Sequence, residues 1–202
     1  TVKDNLKEIA AGEEEACEKL MYALVLSGLA MQMTGNSRPA SGAEHHLVHL
    51  WDMEVVNGHL DALHGEKVSA GTMLVLLEYK KIADAIRKGN CKVHTCTEED
   101  RELLQSTFGK KGILGAIEKE NTPELLDDVS TKELSDTLPG ILKIIDALPA
   151  VTDMQEMMNT AGCVSRVRDI GLPGEVIEES LRLAPYTRRR LSLLRLRKML
   201  TY

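Results

Sequence analysis

Residues 37 to 49 read SRPASGAEHHLVH, a loop rich in Gly, Ser and Pro that runs directly into a helical pattern. Loop residues of this kind end one helix and set the start of the next. Extended to residue 67, the same stretch holds five of the chain's six histidines, which are His45, His46, His49, His59 and His64. Neutral imidazole binds transition metals and exchanges protons near neutral pH, so this clustering indicates a functional site.

Helical periodicity continues on both sides of this loop, and no segment shows the alternation of apolar and polar residues that is typical of strands. An acidic start and a Gly stop predict a helix from Glu13 to Thr34. A second helix is expected from Ala43 to about Val56, and a third from His64 to about Arg87. The sequence therefore predicts an all-α fold.

Further capping and breaking signals lie along the rest of the chain. They predict helix starts at Thr97-Glu98-Glu99-Asp100, at Thr122-Pro123-Glu124 and at Ser130, followed by helices at Leu134 to Leu148, at Glu175 to Ala184 and after Pro185 to near Leu200. With short connections, these elements predict one compact domain, residues 1 to 202, built as a bundle of about eight or nine helices.

Composition argues against several classes of partner. The formal net charge is -6 and the pI is about 5.6, so nothing global favours nucleic acid. Met21 to Met33 is mostly apolar but shorter than the roughly 20 residues of a membrane span, and we expect a buried helix there. The four cysteines show no disulfide framework, which favours a reducing cytoplasm. Basic residues gather after Ser180, and we expect them on a solvated and partly packed terminal helix.

Three kinds of site use histidines crowded in this way. A zincin-type hydrolase requires HExxH, but His45 is followed by His46. A helical phosphohydrolase with a His-Asp dipeptide is excluded, because no His directly precedes an Asp. The remaining kind is a metal site made from His45 and His64, with a carboxylate supplied from elsewhere. We expect His46 and His59 to be ordinary core or surface residues.

Longer strings around the histidines are more specific. SGLAM at residues 27 to 31, GNSRPASGAEH at 35 to 45 and HGEKV at 64 to 68 together resemble the sn-glycerol-1-phosphate dehydrogenase family, within the glycerol dehydrogenase and iron-containing alcohol dehydrogenase superfamily. The resemblance is closest to the bacterial branch of the family. It implies the C-terminal, all-helical metal-binding domain, with the N-terminal dinucleotide-binding domain of the family absent from this chain.

The resemblance also implies roles for particular residues. Two metal ligands of the family correspond to His45 and His64, a proton-relaying histidine corresponds to His49, and the Asp ligand of the family has no counterpart here. Zn, Ni and Fe(II) are all compatible, since each accepts imidazoles and a carboxylate. We further predict that Arg38 and the loop around Ser37 and Ser41 bind a substrate phosphate.

For the complete enzyme, the resemblance implies reduction of dihydroxyacetone phosphate to sn-glycerol 1-phosphate with NAD(H) or NADP(H), by a cytoplasmic homodimer. The cofactor-binding residues are unknown in this chain, because it has neither a GxGxxG after a strand nor a Walker A loop. A glycerol or other polyol dehydrogenase of the same superfamily is one alternative. A helical fragment or dimerisation module without activity of its own is another, since the dinucleotide motif and one ligand are missing.

Overall fold

The computed structural model describes residues 2 to 96 and 100 to 202, and these are predominantly helical. Their α-helices are α1 (Leu6–Ala10), α2 (Glu14–Thr34), α3 (Ala43–Asp52), α4 (His64–Arg87), α5 (Arg101–Leu104), α6 (Leu114–Glu120), α7 (Thr131–Asp146), α8 (Val151–Thr160), α9 (Ile177–Leu183) and α10 (Leu193–Leu196). Two short antiparallel strands, β1 (Lys92–Val93) and β2 (Leu200–Thr201), join a middle segment to the end of the chain. The all-α prediction is confirmed, and the start expected at Thr97 lies outside the described residues.

The third helix, α3, forms the centre of the larger hydrophobic core. Its apolar residues recur at helical spacing, so Leu47, Leu50 and Trp51 are all buried. Each such side chain contributes about 1.5–3 kcal/mol by leaving water. Trp51 also donates its Nε1–H to the Ser180 hydroxyl of α9 at 3.0 Å, which satisfies the indole inside the core. This packing fixes the rotation of α3 about its own axis.

The C-terminal end of α3 differs from the prediction. The helix ends at Asp52 rather than near Val56. Glu54 has a φ of 52°, which lies in the left-handed region, and a right-handed helix cannot continue through it.

Helix α4 packs closely against α3. Lys67, near the start of α4, donates to the Asp52 carboxylate at the end of α3 at 2.8 Å, while Gly71 lies against the backbone of Glu44 near the start of α3. A Cβ at residue 71 would lie 3.2 Å from the Glu44 carbonyl oxygen. Glycine therefore permits the two helices to approach closely beside the histidines.

The start of α4 was predicted at His64 and is confirmed. The Glu66 carboxylate accepts a hydrogen bond from the Leu63 N–H at 2.7 Å, which stabilises the first turn. At the other end, Gly89 has a φ of 70° and ends the helix as expected. His64 therefore occupies the first helical position, on the turn nearest the preceding loop.

A second, smaller core forms where α7 packs against α4 and the end of the chain. Ile82, Leu134 and Met199 are buried there. The predicted cap of α7 is confirmed, because the Ser130 hydroxyl accepts the Glu133 N–H at 3.3 Å. This core lies away from the histidines and supports the far end of α4.

The helix predicted to start at Thr122 is wrong. Residues 122 to 129 form turns and irregular backbone. The Thr122 hydroxyl donates back to the Glu118 carbonyl of α6 at 2.7 Å, so it does not cap a new helix. Glu124, which would have stood in the first turn, accepts instead from the Arg195 guanidinium at 2.7 Å.

The burial expected for the apolar stretch of α2 is also wrong. Met21, Leu24 and Met33 are 59%, 56% and 88% exposed, and Ala16 is the one buried residue of this helix. Because α2 packs mainly against α1, its outer face has no cover among the described residues. Within the described ranges, no helix has the length and apolar character needed to span a membrane.

The basic C-terminal segment is packed more deeply than expected. A 3-10 turn at Ala184–Thr187 lies against α3, and Arg195 of α10 is only 1% exposed. The Arg195 guanidinium donates to the Glu124 carboxylate, and to the Asn121 amide oxygen and the Pro185 carbonyl at 2.5 Å each. A buried charge is stable only when paired and hydrogen-bonded in this way, so the packed part of this segment extends to a fully buried cation.

Candidate metal and substrate site

His45 and His64, here called the histidine pair, face each other from two different helices. Their ring centroids lie 5.7 Å apart and the ring planes are tilted by 54°. His45 stands in the first turn of α3, directly after the Gly42 loop, and His64 is the first residue of α4. The structure therefore brings together the two residues that the sequence singled out, at the junction of two helix starts.

Glu44 orients the ring of His45. Its Oε1 lies 2.8 Å from His45 Nδ1 and accepts the Gly42 N–H at 2.7 Å. Burial raises the pKa of Glu44, but the hydrogen bonds from His45 and Gly42 outweigh it and hold the pKa below its ordinary value. An ionised carboxylate only accepts hydrogen bonds, so His45 donates from Nδ1, and Nε2 is the ring nitrogen that remains to bind a ligand.

This arrangement fits part of a metal site. A metal-binding histidine usually donates its second ring N–H to a carboxylate or carbonyl, as His45 does to Glu44. His64, exposed at the start of α4, supplies a second imidazole beside it. In the described ranges, no group of three or more His, Cys, Asp and Glu side chains is placed to hold a metal ion. The donor set of these residues is thus two imidazoles, which suit Zn, Ni or Fe(II).

His49 lies one turn after His45 on the same helix and is partly buried. Burial, the Arg188 guanidinium and the neighbouring His45 lower the pKa of His49, while Asp52 acts in the opposite sense. Its ring is therefore neutral at pH 7 and able to accept a proton. The predicted relay residue thus belongs to the same group of imidazoles as the histidine pair.

The loop before α3 is held by a residue that the sequence did not single out. Arg190 donates from Nη1 to the Ser41 carbonyl and from Nη2 to the Ser37 hydroxyl, both at 2.8 Å. Arg38 is exposed, and its backbone N–H donates to the Asn36 side chain at 2.9 Å. The basic run of residues 188 to 190 was visible in the sequence, but its position over this loop was not.

The two remaining histidines of the stretch lie outside the pair. His59 is exposed and sits 3.0 Å from Glu54. His46 is 1% exposed, and neither ring nitrogen has a hydrogen-bond partner among the described residues. Burial and the nearby Arg190 lower the pKa of His46 to about 4, so the ring stays neutral at pH 7.

Several curated proteins are similar to this chain. A glycerol-1-phosphate dehydrogenase [NAD(P)+] of Halalkalibacterium halodurans is 33% identical over 192 residues, which cover 95% of this chain and 40% of the relative. A protein of the same name from Geobacillus stearothermophilus is 29% identical over 185 residues, 91% of this chain and 39% of that protein. One from Pyrococcus horikoshii is 41% identical over 83 residues, 39% of this chain and 23% of that protein.

These relatives are, as a class, dehydrogenases whose names specify NAD(P)+. The resemblance expected from the sequence is confirmed: this chain is related, along nearly its whole length, to the glycerol-1-phosphate dehydrogenase family. The chain spans about two fifths of the length of the relatives that it matches most fully. Neither a family model nor a solved structure matches it.

Proposed function

We propose that this chain is the C-terminal helical domain of an NAD(P)-dependent sn-glycerol-1-phosphate dehydrogenase, which reduces dihydroxyacetone phosphate to sn-glycerol 1-phosphate. The observation that carries the proposal is the histidine pair, with centroids 5.7 Å apart and His45 oriented by Glu44. Two imidazoles at a helix junction, one held by a carboxylate, are typical of a catalytic metal site with an open position. The relatives support the same family.

The chain's own residues have distinct roles in this proposal. His45 binds through Nε2, because Glu44 accepts from its Nδ1–H, and His64 provides the second imidazole. A bound divalent cation supplies Lewis acidity toward the ketone, and the nicotinamide supplies the reducing equivalent. The Ser37 to Ser41 loop, with Arg38, borders the substrate because it leads directly into the turn that carries His45.

His49 is proposed to move the proton. Reduction of a ketone to an alcohol requires one proton at the former carbonyl oxygen, and a neutral imidazole near that oxygen can relay it from solvent. His49 suits this role because its lowered pKa keeps a free lone pair at neutral pH. In the complete enzyme, His49→Gln is expected to lower kcat by about 10²-fold or more while metal stays bound.

The remaining parts of the proposal concern the complete enzyme. NADH or NADPH is bound by a dinucleotide-binding domain of the family, since this chain carries no glycine-rich pyrophosphate loop. The third metal ligand is a carboxylate from outside the described residues. We propose a cytoplasmic homodimer, as in the bacterial branch of the family.

A second candidate is a helical module that does no chemistry alone. It is favoured by one observation, namely that the described residues supply two metal-binding imidazoles without a third ligand. A glycerol or other polyol dehydrogenase of the same superfamily is a third candidate, and it differs in needing no phosphate-binding residues.

Metal binding by this chain tests the proposal directly. Zn²⁺ or Co²⁺ is titrated into the 202-residue chain by calorimetry and absorption spectroscopy, with His45→Ala and His64→Ala as variants and His59→Ala as the matched control. We expect one site per chain, with both ligand variants weakened by more than about tenfold and His59→Ala unchanged. Equal metal binding by His64→Ala and the unsubstituted chain would refute the ligand assignment.

A further inference from the structure

Most cations of the C-terminal segment are neutralised by carboxylates. These ion pairs have N to O distances of 2.6 to 2.7 Å and join Arg182 to Asp100, Arg195 to Glu124 and Arg197 to Glu78. In each pair the carboxylate or the guanidinium is buried or nearly so. In these pairs, a carboxylate therefore neutralises the positive charge that the segment removes from water.

Arg188 and Arg190 are exceptions to this pattern. Both are half-buried, yet within residues 2 to 96 and 100 to 202 neither has a carboxylate at ion-pair distance. Their hydrogen-bond partners among the described residues are neutral: the Thr187 carbonyl for Arg188, and Ser37 and Ser41 for Arg190. Neutral acceptors satisfy N–H groups but leave the charge in place.

Both guanidiniums project from one tight turn, here called the arginine turn (residues 187 to 190). The Arg190 N–H donates to the Arg188 carbonyl at 2.9 Å, and the buried Arg195 guanidinium donates to the same carbonyl at 3.3 Å. The Thr187 hydroxyl donates to the His46 carbonyl of α3 at 3.2 Å. The turn is thus fixed to α3 one residue away from His45.

Arg190 also spans the loop that leads to the histidine pair. Its bonds to Ser37 and Ser41 use two of its five N–H donors, and the others have no acceptor in the part of the chain that the structure describes. Glu44, the carboxylate of the α3 first turn, is already bound to His45 and to the Gly42 N–H. Within the described residues, Arg188 and Arg190 therefore bring positive charge toward the histidine pair without an ion-paired carboxylate, and Arg190 has unused donors.

We propose that Arg188 and Arg190 form a phosphoryl-binding subsite beside the histidine pair, which holds the phosphate of the phosphorylated substrate. A guanidinium binds phosphate oxygens through two parallel N–H groups, and two guanidiniums match the charge of a phosphate dianion. This inference rests on the proposed function for the identity of the substrate. It distinguishes a phosphorylated substrate from an unphosphorylated polyol.

Calorimetric titration of the 202-residue chain in phosphate-free buffer of low ionic strength tests the subsite. The probes are sn-glycerol 1-phosphate, inorganic phosphate, glycerol and NADH, because a phosphoryl group comes either from the substrate or from the cofactor. We expect the first two to bind and glycerol not to bind. Arg188→Gln and Arg190→Gln should each weaken sn-glycerol 1-phosphate by at least about tenfold.

Two further variants separate binding from folding. Arg189→Gln is the matched control, because Arg189 lies in the same turn but is exposed and donates to the Pro123 carbonyl. It should bind sn-glycerol 1-phosphate within twofold of the unsubstituted chain. Arg190→Lys keeps the charge and loses the planar guanidinium, so it should bind more tightly than Arg190→Gln. Thermal midpoints of all variants identify any that do not fold, and Arg188→Gln does not disturb the loop bonds.

Three results would overturn the inference. The first is that the chain does not bind sn-glycerol 1-phosphate. The second is that Arg188→Gln and Arg189→Gln bind sn-glycerol 1-phosphate with equal affinity. The third is that the arginine variants lose only NADH binding, which would assign the positive charge to the cofactor. Repeating the titration without metal separates the two proposals. If the chain binds phosphate through the arginines but binds no metal, the subsite is supported and the metal-site function is refuted. If the chain binds metal but shows no arginine-dependent phosphate binding, the subsite alone is refuted.

Discussion

Glu44 and Gly71 lie in direct contact, with the Glu44 carbonyl oxygen 3.2 Å from the place where a Cβ on residue 71 would stand. The same glutamate orients His45 through its side chain. The spacing of α3 and α4 and the orientation of one candidate ligand therefore depend on a single residue. Changes on either side of this contact should be measurable at the histidine pair.

Adding a methyl group at this contact is expected to destabilise the protein. Gly71→Ala forces the Glu44 backbone to move by a few tenths of an ångström, and such overpacking costs about 1–3 kcal/mol, more than the roughly 1 kcal/mol gained in helix propensity. Urea denaturation measures the difference. Gly28→Ala in α2 is the control, because a Cβ there meets nothing within 4 Å and should stabilise. Equal effects of the two substitutions would contradict the close approach.

Removing the negative charge that orients His45 should weaken metal binding. Glu44→Gln keeps the shape of the side chain but can also donate to the ring, and we expect metal affinity to fall by about 10- to 100-fold. Titration with Co²⁺ measures the change. Glu54→Gln is the matched control, since Glu54 and His59 form a similar pair at 3.0 Å away from the site. A drop in the control as large as in Glu44→Gln would indicate a nonspecific effect.

Asp100 should make stability depend on acid pH. Burial raises the pKa of Asp100, but the Lys198 ammonium and hydrogen bonds from Arg182 and Tyr186 outweigh it and lower the pKa below the ordinary 3.8. The unfolded state then binds more protons at low pH. The stabilisation is therefore complete above about pH 4 and is lost as pH falls through the lower folded pKa.

Asp100→Asn is expected to lose about 3 kcal/mol at pH 7, because it leaves the largely buried Lys198 ammonium and the half-exposed Arg182 guanidinium without their carboxylate. It should also flatten the fall in stability at acid pH. Denaturation at pH values from 2 to 7 measures both effects. Asp136→Asn, an exposed carboxylate on α7, is the control and should leave the curve unchanged. If the free energy of unfolding of Asp100→Asn fell as steeply with decreasing pH as that of the unsubstituted chain, Asp100 would not be the cause of the acid sensitivity.

Leu50 and Leu24 both lie in apolar stretches of predicted helices, but truncating them to Ala should lower the stability by different amounts. Leu50→Ala removes a fully buried side chain from α3 and is expected to cost about 2–5 kcal/mol. Leu24→Ala in α2 removes a side chain that is 56% exposed and should cost less than about 1 kcal/mol. Chemical denaturation compares them. Similar losses would mean that the outer face of α2 is covered in solution.

The local elements around the site could be predicted from the sequence because their causes are local. Gly89 in the left-handed region and the Ser130 cap each act within one helical turn, and α4 begins at His64 with Glu66 in the capping position. The cap predicted at Thr122 was wrong, because the Thr122 hydroxyl donates to a carbonyl of the preceding helix, α6. Periodicity also could not tell the exposed α2 from a buried helix, since both are apolar.

The helical class of the chain, the loop before α3 and the two histidines of the candidate site follow from residues close together in the sequence. Which cations lie near that site depends on packing between distant segments. Arg190 bonds to Ser41 across 149 positions of sequence, and Arg195 is buried by partners in the turns that follow α6. Helix formation follows from periodic side chains and caps a few residues apart, whereas the position of a charge depends on packing between distant segments.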